Sequence, residues 1–96
     1  LGRTACRAIT RKELDELSTR EGLVRAGLRL AFSEELIGYL IGIGFDARYG
    51  ARPLQRAIES RVVGPLSRYL AENPETRDAT LALALNRSGD VTVEPA

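Results

Sequence analysis

The stretch from Gly44 to Ile58, GFDARYGARPLQRAI, packs two glycines, a loop and a proline-started helix into fifteen residues. Pro53 suits the first turn of a helix, where its missing N–H costs nothing and its fixed φ is already helical. From there Leu54, Ile58, Val62, Leu66 and Leu70 recur every four residues, the mark of one helical face. Gly50, just before the helix, is free to take a backbone angle that larger residues resist. Arg52 then stands at the helix mouth, beside N–H groups with no intrahelical partner, and its charge opposes the helix dipole. That mild local cost hints at a negative partner. A phosphate is one candidate, since a helix start favours anions and arginine adds a forked donor. An intramolecular pair with Asp46 or a glutamate, or plain solvent exposure, is the other.

The totals bound the choice of function. Ninety-six residues suffice for one domain, residues 1–96, with a modest core. The apolar share of 44% and charged share of 28% are ordinary for a globular chain. Fourteen basic against thirteen acidic residues, interspersed, leave +1 and make no electrostatic case for nucleic acid. No apolar run approaches the roughly 20 residues that cross a bilayer. Cys6 is the single cysteine, which agrees with a reducing, cytoplasmic compartment. Without histidine, a zinc site is not expected, and no serine or cysteine nucleophile has a partner base. The adjacent carboxylates Asp15-Glu16 and Glu34-Glu35 point in different directions on a helix. No GxxxxGK[ST] phosphate loop is present, so these residues alone make no enzyme. The chain begins without methionine, which fits a piece of a larger protein.

Periodicity places the other elements. Residues 3–20 read as a charged amphipathic helix with an apolar stripe of Cys6, Ile9 or Thr10, Leu14 and Leu17; Thr10-Arg11-Lys12-Glu13 offers a competing, later start as a capping box. Gly22 and Gly27 bracket a loop. Residues 28–32 alternate as a strand with Leu28, Leu30 and Phe32 inward. Ser33 is the expected N-cap of a helix to about Ile43, ended by Gly42 and Gly44. Gly38 within it reflects either a close helix approach or simple tolerance. The helix from Pro53 extends to about Glu72, kinked where Gly64-Pro65 removes a hydrogen bond. Residues 80–85 and 91–93 form a hairpin around Asn86–Asp90. A lone hairpin is weak, so strand 28–32 should join it. The expected fold is α+β: three helices packed on a small three-stranded sheet.

Gly44-Phe45-Asp46, Tyr49-Gly50-Ala51-Arg52-Pro53-Leu54 and Arg56-Ala57-Ile58 together resemble the C-terminal small domain of the Clp/Hsp100 AAA+ ATPases. That family's pattern runs Gly-aromatic-Asp-Pro-x-aromatic-Gly-Ala-Arg-Pro-Leu-x-Arg-x-Ile, and Ala47 replaces its proline. The resemblance covers most of the chain, from about Arg3 to Pro95, and implies the same order of elements. It further implies that ATP lies between this domain and an adjacent large AAA+ domain, which holds the Walker motifs and Mg2+. Arg52 corresponds to the sensor-2 arginine that reaches the γ-phosphate, with Gly50 and Ala51 letting the backbone approach the nucleotide. Arg48 and Arg56 are read as surface or packing arginines, and Tyr49 and Phe45 as loop anchors against the core. The implied parent is a hexameric unfoldase or disaggregase, whose partners are neighbouring ring subunits, protein substrates and, in some members, a peptidase. The alternative is a non-catalytic interaction or ring-assembly domain outside this group, using Ile37, Ile41, Ile43 and Val63 as its surface.

Overall fold

The computed structural model describes residues 2–96. In chain order it runs α1 (Arg3–Ser18), α2 (Glu21–Arg25), β1 (Arg29–Phe32), α3 (Glu34–Gly44), α4 (Arg52–Ile58), a π-helical turn (Glu59–Val63), α5 (Gly64–Glu72), β2 (Thr80–Leu85) and β3 (Val91–Pro95). The α+β class holds, but three helices is an undercount. Even with α4, the π turn and α5 taken as one continuous path, the described residues form four helices. The missed one is α2, read from the sequence as loop. Gly27, at φ +67°, ends it: Leu28 N–H donates to the Leu23 carbonyl and Gly27 N–H to that of Val24, the paired bonds of a glycine-terminated helix. Buried Leu23 secures this single turn to the core.

In α1 the buried stripe is Cys6, Thr10, Leu14 and Leu17. Thr10 lies mid-helix and donates its hydroxyl to the Cys6 carbonyl at 2.8 Å, so it satisfies itself within the core and caps nothing. Ser33 caps α3 as expected, its Oγ accepting from Leu36 N–H at 3.1 Å. β2 is the central strand. β1 runs parallel to it, from Arg29 opposite Thr80 to Phe32 opposite Leu83, and β3 antiparallel, from Leu81 opposite Pro95 to Leu85 opposite Val91. Leu81 and Leu83 project from β2 into a core shared with Leu36, Ile37 and Leu40 of α3. Leu28 is buried just ahead of β1 rather than in it.

Around Gly64-Pro65 the helical path neither breaks nor stays α-helical. Gly64 N–H reaches back five residues to the Glu59 carbonyl, and the chain resumes as α5 with Pro65 in its first turn. The wider turn accommodates a residue that has no N–H to donate. It also explains the four-residue spacing. A strict repeat of four drifts by roughly 40° per step on an α-helix of about 3.6 residues per turn. A looser turn takes up part of the drift, and Leu54, Ile58, Val62 and Leu66 all remain buried.

The close helix approach occurs at Gly44, not Gly38. A Cβ on Gly44 would lie 2.8 Å from Leu54 Cδ1 and 3.1 Å from Leu54 Cα, whereas one on Gly38 meets nothing within 4 Å. Gly44→Ala is therefore expected to destabilise the domain by about 1–3 kcal/mol through forced separation of α3 from α4. Gly38→Ala should instead stabilise it by up to about 1 kcal/mol. Urea unfolding of the two variants checks this, and equal effects would refute the assignment.

Candidate functional site

The connection from α3 to α4, residues 45–51, closes on itself. Asp46 and Gly50 exchange backbone bonds, Asp46 N–H to Gly50 O at 2.9 Å and Gly50 N–H to Asp46 O at 2.8 Å, with Ala47, Arg48 and Tyr49 at the tip. The Asp46 carboxylate accepts from Arg48 N–H at 2.7 Å and Tyr49 N–H at 3.1 Å, holding the tip from inside. Gly50 has φ +63°, the left-handed conformation that glycine tolerates best. Its hypothetical Cβ meets nothing within 4 Å, so conformation, not crowding, requires glycine there. The chain then turns through Ala51, with Arg52 N–H donating to the Tyr49 carbonyl at 3.2 Å and Leu54 N–H to that of Ala51 at 3.1 Å. Leu54 is fully buried and fixes the start of the helix.

Arg52 is exposed at the neck of this loop. Among the described residues its guanidinium has no ion pair and no hydrogen bond. The intramolecular pair with Asp46 considered from the sequence is absent; Oδ1 of that carboxylate accepts from the loop backbone. Arg52 lines a shallow groove of about 450 Å³ with Tyr49, Pro53 and Arg56. Phe45 is partly buried against the core, as expected of an anchor, but Tyr49 is not: it is 56% exposed and forms a wall of the groove. The turn that aims it outward is set by Asp46 and Gly50, a tertiary consequence that periodicity cannot register. Arg56 likewise lines the groove rather than packing inward. Gly50 and Ala51 support the loop neck, and Arg48 is exposed at its tip.

The chemistry available in the groove is anion binding by cationic side chains. Two guanidinium groups, an aromatic ring and a proline face outward, and an anion of phosphate type matches that donor set. No cluster of three or more His, Cys, Asp or Glu side chains suited to a metal ion occurs among the described residues. No described helix is long and apolar enough to cross a membrane. Of the four residues offered as an interaction surface, Ile37 is fully buried and Ile41 and Val63 are partly buried on the core, leaving Ile43 exposed at 39%. Core packing accounts for the other three.

Comparison with known proteins agrees with this architecture. Residues 1–82 match the family model described as the C-terminal, D2-small domain, of ClpB protein. A chaperone protein ClpB of Pseudomonas putida is 40% identical over 70 residues, covering 73% of this chain and 8% of that protein. One from Rhodopirellula baltica is 32% identical over 83 residues, covering 86% and 9%. One from Bdellovibrio bacteriovorus is 31% identical over 88 residues, covering 92% and 10%. The chain thus spans about a tenth or less of the length of these relatives. With most of its residues accounted for by that model, the chain belongs to the ClpB D2-small family, within the Clp/Hsp100 chaperones.

Proposed function

We propose that residues 1–96 are a C-terminal small domain that forms one wall of the ATP site in a hexameric Clp/Hsp100 chaperone, with Arg52 as its working residue. The observation that carries this reading is an unpaired arginine held at the neck of a closed loop, in a chain of this family. The groove residues fit a phosphate, because Arg52 brings a permanent charge and a planar fork with no internal counterion to displace. Gly50 and Ala51 hold the neck from which Arg52 projects. ATP, when bound, supplies the phosphoryl group and the free energy of its transfer to water. Arg52 would bind and orient the terminal phosphate and offset charge that develops there. Mg2+ falls to the adjacent large AAA+ domain, which also supplies the rest of the pocket.

This domain's motion relative to the large one would report nucleotide occupancy, and its contacts with neighbouring subunits would contribute to ring assembly. The word chaperone in the relatives' names favours substrate unfolding or disaggregation over delivery to a peptidase. Unpaired Cys6 supports a cytoplasmic setting.

Arg52→Ala in the full-length protein is expected to lower ATP turnover at saturating ATP by at least about tenfold, in line with loss of a charge-stabilising group. Because the side chain is exposed, unfolding stability should change by less than about 0.5 kcal/mol. Steady-state hydrolysis assays with parallel melts check both. Unchanged turnover would contradict the reading.

A further inference from the structure

Arg56 follows Arg52 by one turn of the same helical path, and the two side chains line one groove. Residues at this spacing are surface neighbours, with Cβ atoms about 5–6 Å apart, and like charges so placed repel. Among the described residues no carboxylate pairs with either guanidinium. Glu59, three residues beyond Arg56, pairs with Arg20 of the α1–α2 connection. Glu13 of α1 accepts from the neutral Gln55 amide at 3.2 Å, and Asp46 accepts from loop N–H groups through Oδ1. Two guanidinium groups with no ion pair among the described residues thus open onto one concavity, beside exposed Tyr49.

From this arrangement we infer that Arg56 is a second anion-binding residue of the site, sharing a multiply charged phosphate chain with Arg52. The inference rests on the reading of the groove as a nucleotide wall and adds to it a residue that the sequence leaves as surface or packing. One orthophosphate ion presents its charge at a single centre. A di- or triphosphate extends along the helix and gives each arginine its own oxygens, so the pair favours the longer chain. Arginine suits the role better than lysine because its fork donates to two oxygens at once.

The test uses the full-length protein, titrated with a fluorescent ATP analogue and competed with inorganic triphosphate or orthophosphate. Arg56→Ala should weaken binding of the analogue and of triphosphate by about tenfold, the scale of one charge-assisted hydrogen bond. Its competition by orthophosphate should move much less, and its melting temperature should match the parent. Arg56→Lys should recover part of the loss. Affinities for ATP and triphosphate within about twofold of the parent would overturn the inference. So would a loss accompanied by a lower melting temperature and no recovery by lysine, since that pattern marks a structural arginine. Arg52→Ala, run alongside, separates the two levels. If Arg52→Ala impairs turnover and Arg56→Ala leaves affinity intact, only this inference fails; if neither has an effect, the nucleotide reading fails with it.

Discussion

The close approach of Gly44 to Leu54 constrains the rest of the structure. Where α3 ends and α4 begins, the space that a Cβ would fill is taken by Leu54, including its backbone. The two helices thus meet at the ends of their own connection. A linker whose ends are held this near must fold back on itself. Residues 45–51 do so through the reciprocal Asp46–Gly50 bridge, tightened by the Asp46 carboxylate. Arg52 emerges at the neck of that closed loop, the first residue of a helix whose third is fully buried. Packing in the core and exposure at the groove are consequences of the same contact.

Electrostatics complete the picture without large energies. Arg7–Glu34 and Arg20–Glu59 link separate elements, but both pairs are substantially exposed, so each contributes at most about 1 kcal/mol. Their significance for the site is in allocation. Glu59 pairs with Arg20, Glu13 accepts from the neutral Gln55 amide and Asp46 Oδ1 accepts from the loop, and among the described residues none of these carboxylates pairs with a groove arginine. An arginine at a helix start opposes the dipole and is disfavoured locally. A bound phosphate would reverse that penalty, because it meets both the guanidinium and the positive end of the helix.

Much of this was legible in the residues. The Ser33 cap, the alternating strands, the hairpin and the apolar series from Leu54 to Leu66 follow from short-range rules, and the structure bears each out. Two features were missed although their signals were present. Gly27 marked the end of a helix, and a strict four-residue repeat running through Gly64-Pro65 marked a turn looser than α. Other features had no local signal. Whether Gly38 or Gly44 faces a neighbouring helix depends on how α3 is rotated against α4, and the outward direction of Tyr49 depends on the loop closing beneath it. The position of Arg52 at the helix start left a phosphate, an internal carboxylate and plain solvent open, and the nucleotide role proposed for it comes from resemblance; that its guanidinium has no partner among the described residues is a tertiary fact.

A structure of the full-length protein with a slowly hydrolysed ATP analogue would show whether Arg52 meets the nucleotide. The Arg52 guanidinium is expected within hydrogen-bond distance, about 2.7–2.9 Å, of an oxygen on the terminal phosphate. The loop from Phe45 to Ala51 is also expected to keep the Asp46–Gly50 closure. Arg52 left in solvent, with the phosphates held entirely by other residues, would contradict that contact.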